Sequence, residues 1–155
     1  MFRRYYRNDN LNYFIRVRVE RTLCYQNTYI MNKSKGKKVV LVVDDSLVVL
    51  ERMIPMLQNS QNVEFVVHAG TYKEALAVLQ EIKPDCILLD IQLPDQSGIE
   101  LLQLVRERYD QMLVFMMTNK ASDHYRAICK EMGANRFFDK SMDFARISEA
   151  LAVAC

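Results

Sequence analysis

The sequence predicts an α/β fold in which a doubly wound, five-stranded parallel sheet lies between five helices. Five short runs rich in Val, Ile, Leu, Met and Phe support this prediction, because parallel strands that are covered on both faces are continuously apolar. A helix-like stretch follows each run, and the connections are short, as right-handed crossovers between parallel strands require. At 155 residues the chain is long enough for one domain with a proper core.

Strands and helices are predicted to alternate from residue 37 onward. The predicted strands are Val39–Val43, Val63–Val67, Cys86–Leu89, Met112–Met117 and Arg136–Phe138, and the predicted helices are Leu47–Leu57, Tyr72–Gln80, Ile99–Arg108, Asp123–Met132 and Phe144–Val153. Ser46 stands where the N-cap of the first helix belongs, and this helix keeps its periodicity despite Pro55. The second helix has one apolar face, formed by Ala75, Leu76 and Leu79.

Turn-forming residues separate the later elements. A turn at Lys83–Asp85 leads into the third strand, and the loop Ile91–Gly98 separates that strand from an amphipathic third helix. Gly133 is suited to cap the C-terminus of the fourth helix. The fifth strand and helix complete the alternation, and with nothing after them no output domain is expected.

The N-terminal extension, residues 1–36, differs in composition from the domain predicted at residues 37–155. Residues 1–30 contain six Arg and no Lys against Asp9 and Glu20, a net charge of +4, whereas residues 31–155 hold 15 basic and 17 acidic side chains, a net charge of −2. Ile15–Glu20 alternates with period two, as a half-buried strand does. The segment could be an added edge strand, a nucleic-acid-binding arm, or translated sequence upstream of a functional start at Met31. The last interpretation is favoured, then a disordered tail, and nucleic acid is the least favoured partner.

Several classes of protein are excluded by the sequence. No apolar stretch approaches the length of a membrane span, and no secretory signal core follows the basic start. The four cysteines, Cys24, Cys86, Cys129 and Cys155, lack the paired spacing of zinc or redox motifs. We therefore expect reduced, largely buried thiols, a cytoplasmic location and no membrane partner.

Polar residues stand where four of the five apolar runs end. Asp44 and Asp45 follow the first strand, Asp90 the third and Thr118 the fourth, and Lys140 comes just after the fifth. The carboxyl ends of parallel strands are where open α/β sheets place their sites. Three carboxylates there raise one another's pKa, which a divalent cation relieves, and oxygen ligands suit Mg²⁺ with Mn²⁺ close behind. A metal, an ammonium and a hydroxyl around one carboxylate are suited to phosphoryl transfer onto that carboxylate.

Residues 37–154 resemble the receiver domain of two-component response regulators, in a stand-alone, chemotaxis-type form. The motifs that carry the resemblance are VVLVVDDS at residues 39–46, LLDIQLPDQSG at 88–98, MMTN at 116–119 and GANRFFDKS at 133–141. Each motif alone is weak, but together, in this order and at strand ends, they are very specific. The resemblance implies a flavodoxin-like sheet with strand order 2-1-3-4-5.

The resemblance also implies a metal-dependent site that accepts a phosphoryl group. Asp90 would be the phosphoacceptor and also a metal ligand. Asp45 would bind Mg²⁺ directly and Asp44 directly or through water, and the backbone carbonyl of Gln92 would complete the protein ligands.

A switch and two kinds of partner are implied as well. Lys140 would pair with the phosphoryl oxygens, Thr118 would bond one of them when its loop swings inward, and Phe137 would follow as the aromatic residue of the switch. The phosphoryl donor would be a sensor histidine kinase or a phosphotransfer protein. A downstream protein would read the fourth helix, fifth strand and fifth helix. Such a protein catalyses its own phosphorylation and hydrolysis and is not a turnover enzyme.

The sequence departs from the family pattern at a few positions. Ser141 replaces the proline that usually follows the lysine, and we predict a trans Lys140–Ser141 peptide, because a non-proline cis bond costs about 3–4 kcal/mol. Asn119 stands where small residues are common in the family, and we expect it to narrow access to Thr118. His68 ends the second strand at the predicted sheet edge and is interpreted as a partly exposed side chain rather than a ligand.

Other functions are compatible with parts of the pattern. Singly, each carboxylate or hydroxyl could be a helix or loop cap and Lys140 a surface charge, but four such coincidences at successive strand ends are improbable. A degenerate receiver could act as an unphosphorylated docking module. A phosphohydrolase with an Asp nucleophile is less favoured, because Gln92 stands where the acid-base Asp would be. A flavin-binding protein would need a phosphate loop where Asp44 and Asp45 repel phosphate.

Overall fold

The computed structural model describes residues 5–7 and 36–154, which form one six-stranded sheet with helices on both faces. The strands are β1 Tyr5–Arg7, β2 Lys38–Val43, β3 Val63–Ala69, β4 Cys86–Asp90, β5 Leu113–Thr118 and β6 Arg136–Asp139. The helices are α1 Leu47–Gln58, α2 Tyr72–Glu81, α3 Gly98–Arg108, α4 Asp123–Glu131 and α5 Phe144–Ala154. Every strand and helix predicted from residue 37 onward is therefore present, in the predicted order.

The strands lie side by side in the order β1-β3-β2-β4-β5-β6. All pairings among β2 to β6 are parallel, so these five strands have the predicted 2-1-3-4-5 order. β1 adds antiparallel to β3, with Tyr5 opposite Val67 and Arg7 opposite Phe65. The second predicted strand, β3, was expected to lie at the edge of the sheet, and this prediction is wrong because β1 pairs with it. His68 is the first residue of β3 beyond the part that pairs with β1.

The N-terminal extension is described only at residues 5–7 and 36. The edge-strand interpretation applies to residues 5–7. The alternating segment Ile15–Glu20 and the cysteines Cys24 and Cys155 lie outside the described residues. A functional start at Met31 stays a prediction.

The core has two layers, one on each face of the sheet. Alternate residues of β2 point to opposite layers, Val40 and Val42 to one and Leu41 and Val43 to the other. The first layer packs against α1 and α5, the second against α2, α3 and α4. This two-and-three distribution of helices is the doubly wound arrangement. Cys86 and Cys129 are buried free thiols within these layers, as predicted.

Side chains cap the first four helices of the domain at their N-termini. Ser46, Thr71, Ser97 and Ser122 each accept a backbone N–H from the first turn of the helix that follows. At the end of α4, Gly133 has a φ of +92°, a conformation that favours glycine. No helix within the described ranges has the length and apolarity to span a bilayer.

Candidate functional site

The sheet brings the predicted site residues to one edge. Asp44 and Asp45 follow β2, Asp90 ends β4, Thr118 ends β5, and Lys140 follows β6. Because β2, β4, β5 and β6 are consecutive neighbours and all parallel, these ends adjoin one another. The structure therefore confirms that residues far apart in the chain, from Asp44 to Lys140, share one edge.

Lys140 is the electrostatic centre of this edge. Its Nζ lies 2.7 Å from Oδ2 of Asp90 and 2.6 Å from Oδ2 of Asp44. All three residues are buried, with relative exposures of 4% for Lys140, 5% for Asp90 and 0% for Asp44. Buried charges are stable only when paired, and the ammonium of Lys140 compensates the charge of both buried carboxylates.

The protonation of Asp90 reflects opposing influences. Burial raises the pKa of Asp90 above its ordinary value, and Asp44 adds to the increase. Lys140, by hydrogen bond and by charge, and the backbone of Gln92 act in the opposite direction without cancelling the effect of burial. A second cation near Asp90 would lower this pKa further and favour the ionised carboxylate.

Three carboxylates at this edge lie close enough together to hold a metal ion. One oxygen from each of Asp44, Asp45 and Asp90 can be chosen so that all three lie within 4.8 Å of one another. Asp44 Oδ2 is buried and has no hydrogen bond of acceptable geometry, although Lys140 is close enough for an ion pair. Asp45 is exposed. Three carboxylates and one ammonium leave an excess of negative charge, and an all-oxygen set that is open to solvent at Asp45 fits Mg²⁺ or Mn²⁺.

The turn that carries Asp44 is held by its neighbours. Oδ1 of Asp44 accepts the backbone N–H of Ser46 at 2.9 Å, and its own backbone N–H donates to the carbonyl of Ala69 at 3.0 Å. The ring Nε2 of His68 lies 2.9 Å from the backbone oxygen of Asp44. His68 is partly exposed as predicted, but its link to this turn was not predicted.

The loop after Asp90 folds back tightly on its own strand. Gln92 and Ser97 form an isolated antiparallel bridge, and the N–H of Gly98 donates to the carbonyl of Ile91 at 2.9 Å. A Cβ added to Gly98 would lie 1.9 Å from the backbone oxygen of Asp90, so only glycine fits. The sequence prediction placed Gly98 in the loop without this role.

Thr118 and Phe137 lie on neighbouring strands. The buried hydroxyl oxygen of Thr118 accepts the N–H of Lys120 at 3.0 Å, which leaves its proton available for donation. Phe137 is partly exposed, and the guanidinium carbon of Arg126 lies 4.7 Å from its ring centroid. This cation–π contact joins α4 to β6.

The Lys140–Ser141 peptide is trans, as predicted. Ser141 donates both its backbone N–H and its hydroxyl to Oδ1 of Asp139. These two hydrogen bonds hold the pKa of Asp139 below its ordinary value. A proline at this position could donate neither bond, so serine fixes the turn after Lys140 in a different way.

Comparisons with known proteins agree with this geometry. A family model of the response regulator receiver domain matches residues 40–152. The transcriptional regulatory protein YdfI of Bacillus subtilis is 31% identical over 101 residues, which are 65% of this chain and 47% of that protein. BtsR of Escherichia coli is 30% identical over 113 residues, 73% of this chain and 46% of that protein. The chain therefore spans just under half the length of these relatives.

Solved structures give the same result. A CheY-like receiver domain protein of Methanospirillum hungatei aligns with a TM-score of 0.69 and 27% identity, covering 76% of this chain and 93% of that one. The chemotaxis protein CheY4 of Vibrio cholerae aligns with a TM-score of 0.69 and 26% identity, covering 77% and 99%. From the family match, the shared fold and the strand-end residues together, the chain belongs to the response regulator receiver family of two-component signalling.

Proposed function

We propose that this receiver is a phosphorylation-dependent switch in which Asp90 accepts a phosphoryl group from a phosphohistidine of a sensor histidine kinase or phosphotransfer protein. The observation that carries the proposal is the position of Lys140, whose ammonium lies within 2.7 Å of both Asp44 and Asp90. An ammonium beside a buried carboxylate is placed to neutralise charge that arrives on it.

The chemistry assigned to Asp90 is nucleophilic attack. One carboxylate oxygen forms a bond to phosphorus, the phosphorus–nitrogen bond of the donor breaks, and its electron pair returns to the imidazole. The attacking carboxylate must be ionised, so the raised pKa of Asp90 makes its environment important. Lys140 favours the ionised form and then pairs with the phosphoryl oxygens.

The metal ligands in this proposal are Asp44, Asp45, Asp90 and the backbone carbonyl of Gln92. The three side chains fit a small hard cation because all offer oxygen and their ligand atoms converge within 4.8 Å. When bound, Mg²⁺ supplies positive charge that offsets the phosphoryl oxygens. The sum of charges at this edge supports a divalent ion over a monovalent one.

The proposed response to phosphorylation involves Thr118 and Phe137. The hydroxyl of Thr118 donates to a phosphoryl oxygen after its loop moves toward Asp90, and the ring of Phe137 changes position with it. Since Phe137 lies under Arg126 on α4, this movement alters the face of α4, β6 and α5. A downstream protein that binds the two arrangements unequally reads the change.

Phosphoryl incorporation from acetyl phosphate tests the proposal. We expect a slower band on a phosphate-affinity gel that requires Mg²⁺ and disappears in Asp90→Ala. Asp110→Ala is the matched control, because this exposed Asp precedes β5 at the opposite edge of the sheet. Labelling that survives in Asp90→Ala, or that is absent from a folded wild type that binds Mg²⁺, would contradict the proposal.

An unphosphorylated docking module is the second candidate. The ion pairs of Lys140 with Asp44 and Asp90 support it, because they stabilise these buried carboxylates without a phosphoryl group. A folded protein that neither labels nor changes its partner binding with acetyl phosphate would favour this candidate.

A further inference from the structure

Asp95 connects the loop after Asp90 to a different helix. It lies between β4 and α3, and its two carboxylate oxygens accept the backbone N–H groups of Tyr72 at 2.8 Å and Lys73 at 3.1 Å. These are the first two residues of α2. Limited burial raises the pKa of Asp95, but backbone N–H groups of Lys73 and Tyr72, with those of Asp95 and Gln96, together lower it more, so its pKa lies below the ordinary value. A helix N-terminus is a favourable place for such an anion.

The same junction between β3 and α2 also holds the acidic turn after β2. The carbonyl of Ala69 accepts the N–H of Asp44, and the ring of His68 contacts the backbone oxygen of Asp44. On one side, therefore, the junction contacts the turn that carries Asp44 and Asp45. On the other it contacts Asp95, three residues after Gln92.

A capping role for α2 alone does not account for Asp95. Thr71 is already the N-cap of α2, and its hydroxyl accepts the N–H of Glu74 at 3.1 Å. Asp95 adds an acceptor from a distant part of the chain, 22 residues from Lys73. The bidentate contact fixes the position of the loop as well as the end of the helix.

We infer that Asp95 is a positioning residue for the metal site, holding the loop of Asp90 and Gln92 in register with Asp44 and Asp45 through the start of α2. This inference rests on the proposed function. Without Asp95, the loop tip loses its two hydrogen bonds to α2, and the ligands on the two loops converge less often. The expected defect is weaker metal binding with the chemistry at Asp90 intact.

Magnesium titration calorimetry on the full chain tests the inference with three variants. Asp95→Ala removes both hydrogen bonds, and Asp95→Asn keeps the side-chain shape with one acceptor oxygen. Thr71→Ala is the matched control, because it weakens the same end of α2 without touching the loop. We expect the Mg²⁺ dissociation constant to rise about tenfold in Asp95→Ala, the lower end of the effect of losing an outer partner of a metal ligand. The dissociation constant of Asp95→Asn should lie between those of wild type and Asp95→Ala, and that of Thr71→Ala should equal the wild-type value.

Acetyl phosphate labelling separates positioning from general damage. In Asp95→Ala the labelling rate should fall at low Mg²⁺ and return to the wild-type value at saturating Mg²⁺. A magnesium affinity equal to that of Thr71→Ala, or a labelling defect that saturating Mg²⁺ leaves unchanged, overturns the inference while the wild type still labels. A wild type that neither binds Mg²⁺ nor labels overturns the proposed function, and the inference with it.

Discussion

At the scale of single residues, Lys140 explains how two carboxylates can be buried side by side. It contacts Asp44 and Asp90 with 4% of its own surface exposed. Removing one partner of a buried ion pair leaves the other charge uncompensated, which costs more than the pair itself contributes. The stability of this edge and its proposed chemistry therefore depend on the same ammonium.

Lys140→Ala should lower the free energy of unfolding at neutral pH by about 3 kcal/mol in the absence of Mg²⁺. Added Mg²⁺ should stabilise the variant more than wild type, because the ion replaces part of the missing positive charge. Urea unfolding with EDTA and with Mg²⁺ measures both effects. If Mg²⁺ raised the free energy of unfolding equally in the two proteins, Lys140 and the metal would not share these carboxylates.

Asp143 gives a prediction about pH at the same scale. Its Oδ2 accepts the N–H of Asp139 at 3.0 Å and its Oδ1 pairs with Arg146 at 2.9 Å, and these contacts hold its pKa below the ordinary value. A lowered pKa means that the stability from Asp143 is present above the unfolded value of 3.8 and is lost as pH falls through the folded value. Asp143→Asn should therefore cost about 1 kcal/mol at pH near 7 and less in acid, which urea unfolding at several pH values checks.

At the scale of elements, the site depends on the conformation of the loops that follow its strands, and in the loop after Asp90 there is no room for a side chain at Gly98. The strand ends could be predicted, because Asp44, Asp90 and Lys140 each follow an apolar run and parallel strands finish at one edge. The contacts that shape the loops could not be predicted. Gly98 against Asp90 and Asp95 against α2 are tertiary contacts to backbone atoms, and such contacts leave no periodic signal in the sequence.

Gly98→Ala should disturb both the loop and the site. The added Cβ would overlap the backbone oxygen of Asp90, and displacing that backbone should cost about 2–3 kcal/mol of stability and most of the phosphoryl labelling. Gly133→Ala is the control, because it strains a φ of +92° at the opposite end of the sheet, beside Arg106. It should lose stability by about 1 kcal/mol yet keep its labelling. Equal labelling in the two variants would show that the loop does not position Asp90.

At the scale of the whole molecule, the apolar pattern was sufficient to predict the parallel sheet, since buried parallel strands are apolar throughout. The order of the strands was implied by the resemblance to receiver domains. The antiparallel strand β1 was not located by the pattern. Its three residues, Tyr5–Arg7, are polar or aromatic, and the predicted alternation lay at Ile15–Glu20. A three-residue strand is too short to show a period, so only its pairing with β3 reveals it.

A chain that begins at Met31 tests whether the domain needs β1 to fold and to be phosphorylated. Among the residues whose burial the structure describes, the layers that bury the five parallel strands lie within residues 39–151. The shortened protein should therefore unfold cooperatively and label with acetyl phosphate as the full chain does. Circular dichroism during urea unfolding and the gel assay measure the two properties. Loss of cooperative folding would show that residues 1–30, which contain β1, are an integral part of the domain.

The central claim, that Asp90 carries the phosphoryl group, is tested most directly by mapping the modified residue. Tandem mass spectrometry after incubation with acetyl phosphate and Mg²⁺, with an EDTA sample alongside, identifies the acceptor. We expect the mass of one phosphoryl group on the peptide that contains Asp90, at Asp90 itself, and none in the EDTA sample. A phosphoryl group on another residue, or an unmodified Asp90 in a folded, magnesium-bound protein, would contradict the account.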